Sequence, residues 1–266
     1  MTLPTPLIDT LKLAARAAGE LLREGYQGGS PIALEHKGPS DFVTHYDRAA
    51  ERAIIETIRR AHPGVGFLGE ETGASPAEGT GPTVIIDPLD STNNFLHRLP
   101  HFSVSLAVRE GDTLTHGVVY QPLLDEMLWA VRGRGAFLNE RPLALPPARP
   151  LTEMLVATCL PYHAKGDCAT SLAQLAALMP RVAGLRVPGS AALEVAYVAL
   201  GRADAFFSQG ARLDLWDIAA GLVIAREAGC AVSDLAGEPS LAEWQSLLVA
   251  HPERHGELRR LLNEAP

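Results

Sequence analysis

The amino-acid sequence predicts an α/β (α+β) protein, and three observations support this fold class. The chain has 266 residues, and 47% of them are hydrophobic, which is enough for a large buried core in one broad domain or in two fused lobes. The first half combines helical periodicity with short strands in the order typical of an antiparallel meander. The second half alternates strands with helices, as in an α/β layer.

Two amphipathic helices are predicted near the start of the chain. Apolar residues recur at helical spacing over residues 7–24 and stop before a glycine. A second helix is predicted over residues 46–61, because Thr44 and Asp47 form a capping-box-like pair at its start and Pro63 follows its end. These helices are expected to flank the sheet formed by the strands that follow.

The predicted strands fall into two groups separated by a proline-rich segment. In the first half they cover residues 65–68, 83–86, 103–109, 114–121 and 127–131. Residues 141–150, with four prolines, are the predicted boundary between an N-terminal α+β lobe (1–145) and a C-terminal α/β lobe (146–266). In the second half we predict strands near residues 154–159, 185–187, 203–207, 231–233 and 247–249, and helices near 167–178, 191–200, 217–228 and 252–262.

Charge and cysteine content restrict the expected partners and compartment. The formal net charge is -8, so basic residues are not in surplus to neutralise a nucleic-acid backbone or an anionic membrane surface. The three cysteines are odd in number and include no CxxC pair, which favours a reducing compartment. No apolar run reaches the length of a membrane span, and the N-terminal residues do not resemble a signal peptide. We therefore expect a cytoplasmic protein with no nucleic-acid or membrane partner.

The segment DPLDST at residues 87–92, directly after a predicted strand, has two interpretations. An Asp-Pro turn followed by a helix cap explains it in part. Alternatively, its two carboxylates, which are three residues apart around a tight turn, converge on one cation, with the carbonyl of Leu89 as a further oxygen ligand. The amides of Ser91 and Thr92, if they open a helix, would then face an anion.

Three other acidic segments also lie where an element begins or ends. Glu70 and Glu71 follow a short strand and alone indicate a solvated acidic loop. Asp217 precedes an apolar helical run and alone indicates an N-cap, and Asp47 alone is the third helical residue of a capping box. The combination favours a two-metal magnesium site, because such a site needs several oxygen ligands. Without cations, clustered carboxylates would repel one another and resist ionisation.

Taken together, these motifs resemble the inositol monophosphatase family, in the family's order from Lys37 to Gly229. The resemblance rests on the pattern of Lys37, Asp41, Val43-Thr44, Asp47 and Glu51, on GEE at residues 69–71, on DPLDSTNNF at residues 87–95, and on WDIAAGLVIAREAG at residues 216–229. It implies a layered αβαβα sandwich of the sugar-phosphatase type, commonly a homodimer. It also implies lithium-sensitive hydrolysis of a small phosphorylated metabolite, with two or three Mg²⁺ ions as cofactor.

The resemblance further implies roles for individual residues. The implied metal ligands are Glu70, Asp87, the carbonyl of Leu89, Asp90 and Asp217. Catalytic roles fall to Asp47 and Thr92, which would orient the attacking water, and to Glu70. Contacts to phosphate or substrate fall to Asp90, the amides of Ser91 and Thr92, and the stretch Gly189-Ser190-Ala191, with Lys37 and Glu71 in supporting positions.

Two positions depart from the family pattern. Ser91 stands where the family has glycine, and we expect it to be tolerated if only its amide is used. Ser208 stands where inositol-selective members carry a glutamate, and the loop from Ser208 to Trp216, which contains Arg212 and Asp214, is two residues longer. Histidinol phosphate, adenosine 3',5'-bisphosphate and fructose bisphosphate therefore remain alternative substrates. A non-catalytic phosphate- or partner-binding protein is the alternative from a different functional class.

Overall fold

The computed structural model describes residues 6–28, 32–38, 41–161, 166–211, 213–237 and 246–264, without the side chains of residues 36–38 and 41. The α-helices are α1 (Leu7–Gln27), α2 (His45–Ala61), α3 (Thr92–Leu96), α4 (Cys168–Leu178), α5 (Ala191–Leu200), α6 (Leu215–Glu227) and α7 (Pro252–Asn263). The strands are β1 (Leu34–Gly38), β2 (Asp41–Thr44), β3 (Gly66–Gly69), β4 (Gly73–Ser75), β5 (Thr83–Asp90), β6 (Ser103–Glu110), β7 (Thr113–Gln121), β8 (Glu126–Val131), β9 (Ala136–Leu138), β10 (Arg141–Pro142), β11 (Leu155–Thr158), β12 (Gly184–Arg186), β13 (Ala205–Gln209), β14 (Ala231–Ser233) and β15 (Ser246–Ala250).

The larger sheet contains eight strands in the order β10-β9-β8-β7-β6-β5-β3-β4. Strands β5 to β10 are antiparallel neighbours in chain order, which confirms the meander predicted from residue 103 to residue 131. Strand β3 pairs with β5 in parallel. Because parallel neighbours end at the same edge of a sheet, the residues that follow β3 lie beside the last residues of β5.

Alternate residues of β5 contribute to different cores. Val84 and Ile86 pack in one core with residues of α1 and α2, whereas Ile85 packs in a second core with residues of α5 and α6. This alternation follows from the two-residue period of a strand. Since helices cover both faces of the sheet, β5 carries a continuous apolar run instead of an apolar and polar alternation.

Helices α5 and α6 lie between two sheets. The smaller sheet has the order β12-β11-β13-β15-β14, and its residues Phe206 and Val249 share the second core with both helices. Helix α5 is apolar around most of its circumference, as a helix covered on all sides must be. Helices α4 and α7 share a third core with the same sheet. The resulting five layers confirm the predicted αβαβα sandwich.

The predicted helices and long strands are present, with shifts at their ends. Helix α6 begins at Leu215, ahead of the predicted start at residue 217, because Asp214 and Asp217 form its capping box. Strand β5 does not end at Ile86 but continues to Asp90. The sequence prediction does not include strands β1, β2, β4, β9 and β10.

The proline-rich segment leads from the larger sheet to the smaller one. Residues 143–150 lie outside helices and strands, in keeping with the missing amide donor of proline. The division into lobes 1–145 and 146–266 stays a prediction. Within the described residues, no helix has both the length and the apolar character needed to cross a membrane.

Candidate active site

Two of the predicted carboxylates lie on neighbouring strands. Glu70 comes directly after β3, and Asp87 lies within β5. The amide of Glu70 donates to the carbonyl of Ile86 at 3.1 Å, which extends the parallel pairing by one residue. The backbone therefore places Glu70 and Asp87 at the same edge of the sheet.

An irregularity in β5 separates Asp87 from Asp90. Asp87 pairs with Ser105 and Asp90 pairs with Ser103, so β5 contains one more residue than β6 over this stretch. Such a β-bulge bends a strand and re-aims its side chains, and bulges are frequent beside active sites. Both carboxylates are buried, and Asp87 Oδ1 accepts a hydrogen bond from the Leu89 amide at 3.0 Å.

The chain turns sharply at Ser91, between β5 and α3. Ser91 has φ 80° and ψ 61°, a left-handed conformation that glycine adopts without strain and other residues do not. Thr92 then begins α3. The turn gives a physical reason for the glycine that the family pattern has at this position.

Ser91→Gly is expected to leave the free energy of unfolding unchanged or to raise it by up to about 1 kcal/mol. Relief of the left-handed strain is partly offset by the larger chain entropy of glycine in the unfolded state. Urea denaturation measures the change, and Ser91→Val, which puts a branched Cβ on the same backbone conformation, is the destabilising control. A clear loss of stability in Ser91→Gly would show instead that the serine hydroxyl makes a stabilising contact.

Asp47, in the first turn of α2, uses its two carboxylate oxygens for different partners. Oδ2 accepts hydrogen bonds from the amide of Thr44 at 2.8 Å and from the hydroxyl of Thr44 at 2.6 Å. Oδ1 accepts a hydrogen bond from the hydroxyl of Thr92 at 2.9 Å. Burial raises the pKa of Asp47, and the hydrogen bonds from Thr44 and Thr92 oppose that rise. One oxygen thus caps the helix while the other reaches the turn after β5.

Asp90 joins the two halves of the chain. Its Oδ2 accepts hydrogen bonds from the Ser190 hydroxyl at 2.5 Å and from the Ala192 amide at 2.9 Å. Asp90 therefore lies at the N-terminus of α5, where the helix dipole favours a negative charge. Burial nevertheless raises the pKa of Asp90 to about 6, because the hydrogen bonds do not fully replace the lost hydration.

Asp217 reaches the site from α6. The N-cap of this helix is Asp214, so the interpretation of Asp217 as an N-cap is wrong. Oδ2 of Asp217 accepts a hydrogen bond from the Asp214 amide at 2.6 Å. Burial raises the pKa of Asp217 well above its usual range, and the charges of Asp90 and Glu70 raise it further. Burial and the neighbouring carboxylates raise the pKa of Asp87 in the same way.

These segments line one cavity of about 280 Å³, a size that suits a small metabolite. The predicted site residues in its lining are Glu70, Asp87, Leu89, Asp90, Ser91, Thr92, Gly189, Ala191 and Asp217. Asp47 and Ser190 lie behind the lining, hydrogen-bonded to Thr92 and Asp90 respectively. Glu71 is not part of the lining, and the side chain of Lys37 lies outside the described residues.

The lining has the chemistry of a site for hard cations. Its carboxylates and the Leu89 carbonyl are the oxygen donors that Mg²⁺ prefers. Because burial and neighbouring carboxylates raise the pKa values of Asp87 and Asp217, cations bound among these groups would favour their ionised forms. As the side chains are oriented, no three His, Cys, Asp or Glu side chains in the described part of the chain are close enough to hold one ion. The ligand set therefore stays a prediction.

Comparison with known proteins identifies the family. The model of the inositol monophosphatase family matches residues 4–266. The chain belongs to the inositol monophosphatase family. Nus factor SuhB of Escherichia coli (strain K12) is 44% identical over 249 residues, which are 93% of this chain and 92% of that protein. Inositol-1-monophosphatase of Mesorhizobium japonicum is 39% identical over 245 residues, which are 92% of this chain and 91% of that protein.

A solved structure agrees with this assignment. The crystal structure of extragenic suppressor protein suhB from Bartonella henselae matches with a TM-score of 0.93 and 35% sequence identity, and it covers 98% of this chain and 100% of that chain. The family resemblance and the layered fold expected from the motifs are thus confirmed. Family membership is consistent with a phosphatase.

Glu194 of this family member is a buried carboxylate that the sequence analysis does not identify. From the first turn of α5, its Oε1 accepts hydrogen bonds from the amides of Gly189 and Ser190 at 2.8 and 3.1 Å. Burial raises the pKa of Glu194 well above its usual range. Glu194 therefore holds the loop that leads into α5. The sequence signal is weak, because Glu194 lies four residues after Ser190 instead of the three of a capping box.

Glu194→Ala is expected to lower the free energy of unfolding by about 2–4 kcal/mol, since two amide donors lose their acceptor. Glu194→Gln keeps an oxygen in the same place and is the matched control, expected within about 1 kcal/mol of the wild type. Urea denaturation of both variants measures the difference. Equal losses in the two variants would show that the negative charge, and not the acceptor, holds the loop.

Glu51 holds the loop after β3 in a similar way. It is buried in α2, and its two oxygens accept hydrogen bonds from the amides of Glu71 and Thr72 at 3.0 and 2.9 Å. A Cβ at Gly69 would lie only 2.6 Å from this carboxylate. The glycine of the GEE motif therefore leaves room for Glu51.

The loop that departs from the family pattern contributes apolar groups to the cavity. Ser208 is buried in β13, and its hydroxyl has no hydrogen-bond partner among the described residues. Ala211 and Leu213 line the cavity, whereas Arg212 lies outside the described residues. Asp214 belongs to the capping box of α6.

Proposed function

We propose that this member of the inositol monophosphatase family is a magnesium-dependent phosphomonoesterase of the inositol-1-monophosphatase type. A water molecule attacks the phosphorus in line with the departing alcohol, without a covalent enzyme intermediate. The observation that carries the proposal is the hydrogen bond from Thr92 to Asp47 beside a cavity lined by carboxylates. A cavity of about 280 Å³ supports a small phosphorylated metabolite as substrate.

Thr92 and Asp47 would orient the attacking water. Because Thr92 donates its hydroxyl proton to Asp47 at 2.9 Å, the lone pairs of its Oγ1 are left to accept a proton from water. Oδ2 of Asp47 is engaged by Thr44, so Oδ1 keeps its orientation toward Thr92. The raised pKa of Asp47 makes its carboxylate a better proton acceptor than an exposed aspartate.

The carboxylates that line the cavity would hold the metal ions. The proposed ligands are Glu70, Asp87, the carbonyl of Leu89, Asp90 and Asp217, for two or three Mg²⁺ ions. When bound, the ions supply positive charge at the phosphate oxygens and at the departing alkoxide and lower the pKa of water. The family resemblance adds inhibition by lithium and a homodimer to this proposal.

The phosphate would lie at the start of α3. The amides of Ser91 and Thr92 open this helix, and amides at such a position bind anions. Gly189 and Ala191 line the same cavity from the start of α5. The described lining residues include no arginine or lysine. Among the described lining residues, only backbone amides and side-chain amide or hydroxyl groups can face a phosphate without adding negative charge, which is compatible with the proposed metal dependence.

Phosphate release from inositol, histidinol, nucleotide and sugar phosphates tests this proposal, with and without Mg²⁺. We expect turnover of at least one ester that depends on Mg²⁺, is lost after chelation and is inhibited by lithium. Accumulation of a stable phosphoenzyme would contradict direct attack by water. No release from any ester of the panel would contradict the phosphatase function itself.

A second candidate is a non-catalytic phosphate- or partner-binding function. One of the relatives motivates it: the Escherichia coli protein that is 44% identical to this chain is named Nus factor. The two candidates are separated by expressing this chain, or its Asp47→Asn variant, in cells that lack that relative. The measurement is whether expression rescues the defect that loss of the relative causes. Rescue by the wild type alone supports a hydrolytic role, whereas rescue by both supports a role that needs no hydrolysis.

A further inference from the structure

Ser190, the N-cap residue of α5, uses its hydroxyl for a carboxylate instead of for its own helix. The side chain of an N-cap serine usually accepts a hydrogen bond from an amide of the first turn. In α5, whose first turn the structure describes in full, this bond is not made, and the hydroxyl donates to Oδ2 of Asp90 at 2.5 Å. The amide of Ala192 donates to the same oxygen at 2.9 Å. The start of α5 is therefore arranged around Asp90.

These hydrogen bonds fix the orientation of the Asp90 carboxylate. Because Oδ2 is directed at α5, Oδ1 is the oxygen that Asp90 can present to the cavity that it lines. A carboxylate that binds a cation is usually oriented by such hydrogen bonds, and loss of these outer partners weakens metal binding or activity about 10- to 100-fold. The partners of Oδ2 are therefore expected to influence a cation bound at Oδ1.

Glu194 holds Ser190 from within the same helix. Its Oε1 accepts hydrogen bonds from the amides of Gly189 at 2.8 Å and Ser190 at 3.1 Å. Ser190 thus has its amide bound by one carboxylate and its hydroxyl directed at another. Oε2 of Glu194 accepts a hydrogen bond from the thiol of Cys159 at 3.9 Å. Since Cys159 lines the cavity, Glu194 lies directly behind the cavity wall.

The loop before α5 is also held on its other side. The side-chain amide of Asn94 donates to the carbonyl of Pro188 at 2.8 Å. Gly189 has φ 102°, and a Cβ at this position would lie 3.2 Å from the same side-chain nitrogen. The loop is therefore closely packed between Asn94 and Glu194.

Packing alone does not account for a glutamate at position 194. Glu194 is buried, and it is the only charged residue of α5. A buried carboxylate costs free energy that an apolar side chain of similar volume would not. The hydrogen bonds that Glu194 makes with the loop are what an apolar residue could not supply.

We infer that Glu194 is a positioning residue for the proposed metal site: it holds Ser190, and Ser190 holds Asp90 with Oδ1 directed into the cavity. This inference rests on the proposed phosphatase function, because that proposal makes Asp90 a metal ligand. Glu194 is not part of the cavity lining. It acts through two hydrogen bonds in series, from the Ser190 amide to Glu194 and from the Ser190 hydroxyl to Asp90.

Thermal unfolding over a series of Mg²⁺ concentrations tests the inference, since the rise in melting temperature gives the dissociation constant of Mg²⁺ by mass action. Glu194→Ala is expected to raise this constant about tenfold, because Asp90 loses its orientation. Glu194→Gln keeps an oxygen acceptor for both amides and should stay within about twofold of the wild type. If Glu194→Ala does not fold, Glu194→Met fills a similar volume without such an acceptor and takes its place.

Glu227→Ala is the matched control for a loss that is only structural. Glu227 also accepts hydrogen bonds from two loop amides, those of Gly133 and Gly135, each at 2.9 Å. It lies at the opposite end of α6 from Asp217 and outside the cavity lining. Its removal should lower the melting temperature in the presence of chelator and leave the Mg²⁺ dissociation constant unchanged.

Ser190→Ala tests the route of the effect. In this background Glu194→Ala should raise the dissociation constant by less than about threefold, because the link through the Ser190 hydroxyl is already lost. A full tenfold effect there, an unchanged constant in Glu194→Ala, or an equal increase in Glu194→Gln or Glu227→Ala would overturn the inference and leave the phosphatase function intact. A wild type whose melting temperature does not respond to Mg²⁺ would overturn the proposed metal site as well.

Discussion

Asp47→Asn is expected to lower kcat about a thousandfold, the size of effect typical of a lost general base. The amide oxygen of the variant will face Thr44, because both Thr44 groups that reach this position are donors. The NH₂ group must then face Thr92 and donate to its hydroxyl oxygen. This reverses the hydrogen bond of the wild type, in which Thr92 donates to Asp47. One lone pair of Thr92 Oγ1 is then occupied, and its proton, no longer donated to residue 47, can point toward the water or toward the Leu89 carbonyl at 3.4 Å, so Thr92 no longer holds the water in the wild-type orientation.

The stability of Asp47→Asn should change little, by no more than about 1 kcal/mol, because the capping oxygen is retained. Steady-state kinetics with Mg²⁺ and urea denaturation measure the two effects. Asp125→Asn is the control: Asp125 accepts hydrogen bonds from Arg16 and Tyr120 outside the cavity lining, so kcat should be unchanged. Full turnover in Asp47→Asn would remove Asp47 from the mechanism.

Asp87→Asn is expected to lower kcat more than about a hundredfold and yet to raise stability when divalent cations are chelated. The activity falls because a proposed metal ligand is lost. Such a loss lowers activity more than the loss of a residue that only supports a ligand. The stability rises because the wild-type carboxyl is buried beside other carboxylates, and this raises its folded-state pKa well above the ordinary value of 3.8. The amide variant keeps the acceptor for the Leu89 amide but carries no charge.

The sign of the pH dependence follows from that raised pKa. A carboxyl whose pKa is higher in the folded state makes its full contribution to stability when the pH is below its unfolded-state pKa of 3.8. This contribution is lost as the pH rises through the folded-state pKa. At neutral pH without cations, Asp87 therefore opposes folding. The chelated wild type should lose stability from about pH 4 upward, and Asp87→Asn should lose less of it, so that the chelated variant is the more stable protein at pH 7.

Thermal unfolding with a chelator and with Mg²⁺ measures this prediction. Mg²⁺ should raise the melting temperature of the wild type by mass action and that of Asp87→Asn much less. Asp125→Asn is again the control, and its expected change in stability has the opposite sign. Hydrogen bonds with Tyr120 and Arg16 lower the pKa of Asp125, so removal of its charge should destabilise the folded protein slightly, both with chelator and with Mg²⁺. A chelated Asp87→Asn that is less stable than the chelated wild type would contradict the like-charge account.

Local patterns in the sequence predict most of the elements around the site. The capping box of Thr44 and Asp47 and the apolar periodicity of α2 act within one turn of a helix, so neighbouring residues are sufficient to recognise them. The bulge between Asp87 and Asp90 is different. It depends on the register of β5 against β6, and a run of strand residues does not specify its partner's register. For this reason the sequence prediction ends the strand at residue 86.

The sequence by itself determined the class of fold, the family and the four acidic segments, because helical periodicity, strand runs and short motifs are properties of neighbouring residues. Only the tertiary structure decided what surrounds those segments. Asp90 receives a hydrogen bond from Ser190, which is 100 residues away, and Cys159, Val187 and Ala211 line the same cavity because β11, β12 and β13 end at one edge of their sheet. Such contacts depend on strand order and on the packing of layers, which a local pattern does not encode.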